Sequence, residues 1–142
     1  MRTVKQLLAS KPTIIFSVDR KTSVLEALQL MMKENVSALL ILENNKLEGI
    51  FTERDYARKV ILNGKSSKET AISEVMTSDI ITVKPEDSIE HCMKIMTDRH
   101  FRHLPVLADT NVVGIVSIGD VVRFIIDHQK KTIEHLENYI NS

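Results

Sequence analysis

The sequence predicts an α+β fold: two βαββα repeats packed sheet to sheet about a pseudo-twofold axis. Three observations lead there. A heptapeptide occurs twice, as Gly49-Ile50-Phe51-Thr52-Glu53-Arg54-Asp55 and as Gly114-Ile115-Val116-Ser117-Ile118-Gly119-Asp120. Each copy reads glycine, two apolar residues, a hydroxyl residue, two spacers and aspartate. The two glycines stand 65 positions apart, as do the two aspartates, and the offset holds without a gap from residues 15–61 to residues 80–126. Eleven of those 47 aligned positions are identical. Similar periodicity alone does not put a glycine and an aspartate at equal distances, so the register marks an internal repeat. Finally, each copy interleaves short β-branched runs with helical apolar spacing. Strands this short cannot bury a core within one copy, and two copies facing each other can.

The elements follow in order. Residues 3–8 form a short helical turn with Val4, Leu7 and Leu8 on one side, and Pro12 breaks it. Residues 14–18 are apolar and β-branched and read as a strand. Thr22 or Ser23 caps a helix, with Glu26 at capping-box spacing from Ser23 and Val24, Ala27, Leu28, Met31 and Met32 on its apolar face. That helix ends near Glu34. Residues 37–42 and 47–51 are strands joined by the turn Asn44-Asn45. Thr52 caps a helix reaching about Leu62, with Glu53 and Asp55 in its first turn. Residues 63–70 are polar, contain Gly64 and form a linker. The pattern then restarts. Residues 71–76 are a second lead-in turn, 80–83 a strand, the segment from Asp87 or Ser88 to about Arg99 a helix, 104–107 and 112–117 paired strands, and 119–127 or beyond a helix. The tail, 130–142, has no counterpart in the first copy. Its Ile133, Leu136 and Ile140 suit an amphipathic helix, folded back on its own body or touching a second subunit. The chain thus divides into a first repeat with its lead-in (1–62), a linker (63–70), a second repeat (71–129) and a helical tail (130–142).

Composition narrows the function. A chain of 142 residues, 43% hydrophobic and 27% charged, suits a soluble globular protein of one domain or two small subdomains. Its net charge is zero, so nothing global attracts nucleic acid or an anionic membrane. The single cysteine, Cys92, excludes an internal disulfide and falls among apolar residues of a helical pattern. No apolar run is long enough to span a membrane and no signal-peptide core opens the chain, so a cytoplasmic location is expected. Catalysis has no candidate residues. Gly64-Lys65-Ser66 lacks the leading glycine of a phosphate loop, and the histidines do not pair with Cys92 or carboxylates at metal spacing.

The paired motifs, the lead-ins Ile15-Phe16-Ser17-Val18 and Ile80-Ile81-Thr82-Val83-Lys84-Pro85, and His103-Leu104-Pro105-Val106 together resemble a tandem pair of cystathionine-β-synthase-type (CBS) domains, a Bateman module. The resemblance covers nearly the whole chain and is to small stand-alone CBS-pair proteins. It implies a sheet–sheet sandwich with two related clefts, adenosine-containing ligands (AMP, ADP, ATP, NAD or S-adenosylmethionine) and homodimers.

The residues themselves suit such a ligand. A hydroxyl at a helix N-terminus stands beside free N–H groups that favour phosphate. An ionised carboxylate only accepts hydrogen bonds, and it can accept from two neighbouring ribose hydroxyls. Asp55 and Asp120 are therefore expected to hold riboses, and Thr52 and Ser117 a ribose or near phosphate. Ile15, Phe16, Ile80 and Ile81 are expected to wall the adenine. The copies differ in charge: Arg102 and His103, before Leu104 and Pro105, stand where the first copy has Ser37 and Ala38, whereas Arg54 in the first copy aligns with Gly119. Arginine offers phosphate a bidentate fork, so the Asp120 cleft is expected to take the more phosphorylated or tighter ligand. Arg58 and Arg123 read as surface cations. The function that follows is a non-catalytic sensor, with AMP, ATP or NAD as regulatory ligand and an unknown regulated protein as partner. The alternative is a ligand-free dimerisation scaffold.

Overall fold

A computed structural model describes residues 2–12 and 14–141. Met1 and Ser142, at the ends of the first repeat and the tail, lie outside the described residues. The chain forms two compact units. One comprises residues 14–81 with Ala108–Val113 and carries Asp55. The other comprises residues 2–12, 82–107 and 114–141 and carries Asp120.

In the Asp55 unit, strand β1 (Ser17–Val18) runs parallel to β2 (Ala38–Glu43), which pairs antiparallel with β3 (Lys46–Thr52). Asn44 and Asn45 make the β2–β3 turn, both with positive φ (53° and 64°) as a two-residue hairpin of right-handed twist requires. Helix α2 (Val24–Glu34) starts at Ser23, whose Oγ accepts from Glu26 N at 3.1 Å, and stops at Asn35 in the left-handed region. Its buried face, Val24, Ala27 and Met31, joins Leu39, Ile41, Phe51 and Val60 in one core. The polar segment read as a linker is bound to the start of this helix. Val24 N donates to Thr70 O and Leu25 N to Ser67 O, both at 2.9 Å, which satisfies amides that the first turn leaves without partners. After Thr52 the regular helix is brief. Helix α3 (Glu53–Asp55) passes into a π-helical stretch (Tyr56–Ile61), where Leu62 N reaches back five residues to Ala57 O at 3.2 Å.

In the Asp120 unit, helix α1 (Val4–Ala9) opens with a capping box between Thr3 and Gln6 and buries Val4 and Leu7. Helix α4 (Ile89–Arg99), capped by Ser88, buries Ile89, Cys92 and Met96. Burial pushes the Cys92 thiol up to about 11, with Asp87 adding to the rise. Strands β4 (His103–Ala108) and β5 (Asn111–Ser117) form a hairpin, and helix α5 (Ile118–Asn141) follows without a break. The tail is thus the second half of one helix of 24 residues, not a segment folded back on its own body. The strand expected at 80–83 is not formed; only Val83 bridges, in parallel to Val106. Pro105 supplies the reason. In the first copy Leu40 N donates to Phe16 O at 3.2 Å, whereas the aligned residue in the second copy is proline and has no N–H to give. Pairing begins only where Val83 N donates to Pro105 O (3.0 Å) and Leu107 N to Val83 O (2.9 Å).

The lead-ins are exchanged between the copies. Residues 2–12 precede the first repeat, but Val4 N donates to Asp87 O at 2.9 Å, Lys5 N to Pro85 O at 2.8 Å, and Ile89 N to Arg2 O at 3.1 Å. Reciprocally, the 3₁₀ turn Ile72–Glu74 precedes the second repeat but belongs to the Asp55 unit, with Ile72 N on Thr22 O at 2.7 Å and Ile72 and Val75 in that core. The sequence repeats and the packed units therefore have different boundaries.

Candidate functional site

Each motif lies where the exchanged lead-in crosses its own unit. In the Asp55 unit Thr77 pairs with Ile50 through two hydrogen bonds, Ile50 N to Thr77 O at 2.9 Å and Thr77 N to Ile50 O at 2.8 Å. The crossing is tight over Gly49, where an added Cβ would meet Met76 Sδ at 2.5 Å. In the Asp120 unit the residue aligned with Thr77 is Pro12, which cannot donate. Lys11 supplies the donor instead: its Nζ reaches Ile115 O, the counterpart of Ile50 O, at 2.9 Å. Gly114 makes room there for Leu8, whose Cδ2 would lie 2.8 Å from a Cβ.

The two carboxylates are held in the same way. Asp55 Oδ2 accepts from Thr52 N at 3.0 Å and from Thr52 Oγ1 at 3.2 Å, while Asp55 N donates to Thr52 Oγ1 at 3.2 Å. Asp120 Oδ2 accepts from Ser117 N at 2.9 Å, and Asp120 N donates to Ser117 Oγ at 3.1 Å. These are reciprocal capping boxes, and they fix both carboxylates at the start of a helix. The preceding strand adds a common brace: Glu53 N donates to Ser37 O at 3.2 Å and Ile118 N to Arg102 O at 2.9 Å.

Beyond the boxes the two sites differ. Asp55 Oδ1 accepts from Thr77 Oγ1 at 3.0 Å and pairs with Lys59 Nζ at 3.2 Å, and Lys59 also donates to Thr77 at 3.2 Å. Asp120 meets two cations, Lys11 Nζ on Oδ2 at 2.7 Å and Arg123 Nη2 on Oδ1 at 2.8 Å. Burial pushes the Asp120 carboxyl up, but the hydrogen bonds from Lys11 and Ser117 and the Lys11 charge outweigh burial and hold it below the ordinary 3.8. Asp55 is buried, and the Asp120 side chain is 11% exposed. The Arg123 side chain is 72% exposed and the Lys59 side chain 41%, so a solute can reach these cations.

The expected site residues sort into several positions. Thr52 with Asp55 and Ser117 with Asp120 are brought together as pairs. Ile15 is half-buried, and Phe16 packs against the Asp55 unit's core while its carbonyl serves β2. Arg54 is exposed on α3. Ile80 and Ile81 are half-buried at the end of the Asp55 unit. Arg102 meets the second motif through its carbonyl, with an exposed residue surface; His103 is half-buried and Pro105 buried in β4. Gly119 sits in the first turn of α5, with ordinary clearance of 3.5 Å from Arg123. Three residues that touch the carboxylates escaped the sequence reading, Lys11, Lys59 and Thr77, and a fourth, Arg123, was read as a surface cation but pairs with Asp120. Lys59 and Arg123 were legible as helix neighbours four and three positions beyond their aspartates. Lys11 and Thr77 carry no local signal, since only the exchange of lead-ins brings them to Asp120 and Asp55.

Among the described residues no group of histidine, cysteine and carboxylate side chains could hold a metal ion. Nor is any helix among them long and apolar enough to cross a membrane. A hollow in the Asp120 unit lined by Arg2, Gln6, Glu90 and His128 contains neither motif, and its polar groups are engaged: Arg2 pairs with Glu90, and His128 stacks on Phe124.

The CBS domain family model matches residues 4–62 and again residues 72–127. The chain belongs to the CBS-domain family. It is a tandem CBS pair, a regulatory module. It is 42% identical over 123 residues to the CBS domain-containing protein CBSX3, mitochondrial, of Arabidopsis thaliana. That alignment covers 83% of this chain and 60% of the plant protein, so the chain spans less than two thirds of that relative. A solved CBS-domain structure from Burkholderia ambifaria MC40-6 is similar with a TM-score of 0.86 at 42% identity, covering 89% of this chain and 96% of its own. The CBS domain pair of protein MJ0100, solved in complex with 5′-methylthioadenosine and S-adenosyl-L-methionine, is similar with a TM-score of 0.76 at 30% identity, covering 90% and 98%.

Proposed function

We propose that this CBS pair is a sensor for an adenosine-containing ligand, bound through the ribose by Asp55, Asp120 or both. The observation that carries the proposal is the shared setting of the two carboxylates. Each is fixed by a capping box at a helix start and neutralised by side chains that a solute can reach. A ribose diol can replace those partners, because an ionised carboxylate also accepts from two vicinal hydroxyls, and the released cations can pair with phosphate instead. The displaced cations then stand beside the ribose, where phosphate is attached in a nucleotide. Asp120 has two such cations and Asp55 has one, which supports the more phosphorylated ligand (ATP or NAD rather than AMP) at Asp120. Occupancy is read by a regulated protein, through differential affinity of the ligand for two arrangements of the module or of its homodimer. A ligand-free scaffold is the second reading, and it is favoured by the full internal satisfaction of both carboxylates.

Calorimetry and thermal melting with AMP, ATP, NAD and S-adenosylmethionine decide between the readings. A ligand that binds only the folded chain raises the melting temperature. Asp120→Asn keeps the shape and removes the charge, and it is expected to weaken the tighter site about 10- to 100-fold, the worth of hydrogen bonds to a charged group. No melting shift with any of the four compounds would leave the scaffold reading in possession.

A further inference from the structure

The two lead-ins are fastened across their units by different means. At the Asp55 crossing the tie is backbone to backbone, through the two hydrogen bonds between Thr77 and Ile50. Thr77 Oγ1 also reaches Asp55 at 3.0 Å, but the backbone pair holds that crossing without it. The cation on Asp55 is Lys59, four residues further along the same stretch of chain. A solute that takes the Asp55 carboxylate therefore displaces side chains and leaves the crossing tied. At the Asp120 crossing Pro12 has no N–H to give, and the tie runs through a side chain. Lys11 Nζ donates to Ile115 O at 2.9 Å and to Asp120 Oδ2 at 2.7 Å. One ammonium thus fastens the end of the lead-in to β5 and also fills an oxygen of the carboxylate. Its side chain is 27% exposed, so water reaches it. The residue 65 positions on is Met76, which has no charge with which to play this double part.

We propose that residues 10–12 act as a strap: Lys11 is a built-in competitor for the Asp120 site, and a ligand that takes the carboxylate unfastens the strap from β5. The strap as a ligand-driven device rests on the reading of Asp120 as a ribose site. A ribose hydroxyl on Oδ2 needs the place that the ammonium fills. A nitrogen moved out of that place leaves Ile115 O as well, because both bonds come from the same atom. Release is local. Helix α1 stays docked through buried Val4 and Leu7 and through Val4 N and Lys5 N, which donate to Asp87 O and Pro85 O. The freed stretch starts at Ser10, the C-cap of that helix, and the Asp55 unit begins at Ile14. Occupancy at Asp120 thereby loosens the covalent connection to the unit that carries Asp55, whereas occupancy at Asp55 leaves its own crossing in place. Competition also lowers the apparent affinity of the Asp120 site, since the ligand binds only the fraction of molecules in which Lys11 has let go.

The test labels lysines of the full chain with trace acetic anhydride and reads each by peptide mass spectrometry, with exposed Lys131 as internal standard. In ligand-free protein, Lys11 is expected to label about 3- to 10-fold faster in Asp120→Asn than in the wild type, a factor between that of an exposed ion pair and that of a buried charged hydrogen bond. Equal rates overturn the strap whatever the ligand. Adenosine is the probe for release, because it has the diol and no phosphate with which to recapture the ammonium. Saturating adenosine is expected to raise Lys11 labelling in the wild type by a similar factor. Calorimetry is expected to show Lys11→Met binding adenosine about 3- to 10-fold more tightly than the wild type. Adenosine binding that depends on Asp120 but leaves Lys11 labelling unchanged, or that is no tighter in Lys11→Met, overturns the strap and leaves the ribose reading standing. Adenosine that binds neither protein overturns both.

Discussion

A methyl group added at Gly49 would sit 2.5 Å from Met76 Sδ and 3.1 Å from the carbonyl oxygen of Thr77, whereas one at Gly114 would meet only the mobile end of Leu8. A side-chain tip can turn aside, but a backbone carbonyl that is itself hydrogen-bonded to Ile50 has less freedom. Gly49→Ala is therefore expected to cost about 1–3 kcal/mol as overpacking, and Gly114→Ala less. Differential scanning calorimetry should show the larger fall in melting temperature for Gly49→Ala; equal falls would contradict this account. The Asp120 carboxyl carries a pH signature. Its folded value is depressed below 3.8, so the stability it confers is present above the unfolded value and is lost as pH falls through the folded one. Melting curves recorded from about pH 5 to pH 3 are expected to fall more steeply for the wild type than for Asp120→Asn, which has no carboxyl to protonate. Parallel curves would show that the Lys11 and Arg123 pairs contribute nothing in this range.

Among the elements, helix α1 shows how far packing departs from chain order. Its Val4 and Leu7 are fully buried and its backbone is bonded to residues 85 and 87, all within the Asp120 unit. Leu7→Ala removes a buried side chain and is expected to cost about 2–5 kcal/mol. Hydrogen exchange should then rise over residues 83–121 before it rises over residues 17–62, although Leu7 lies nearer the latter in sequence. The opposite order would mean that the lead-in supports the repeat it precedes. The strands and the two capped helices α2 and α4 were legible, because Ser23 and Ser88 are caps and the apolar periods are clear. The strand expected at 80–83 was not, because the apolar run is real and its failure lies in Pro105, more than twenty residues away. Nor was the π-helical stretch after Asp55: its residues read as a common helix, and nothing local distinguishes a turn closed at five residues from one closed at four.

For the whole molecule, the 65-residue register carried the family, the duplication and the two carboxylates, since each is a property of sequence positions compared with one another. It could not carry Lys11 or Thr77, which reach the carboxylates only through the exchange of lead-ins, a property of the folded chain. That exchange has a consequence for dividing the chain. A polypeptide holding just one copy would own a lead-in and a body that do not close on each other. Two such molecules trading their first segments would complete both bodies, so a single-copy product is expected to close only as a swapped dimer.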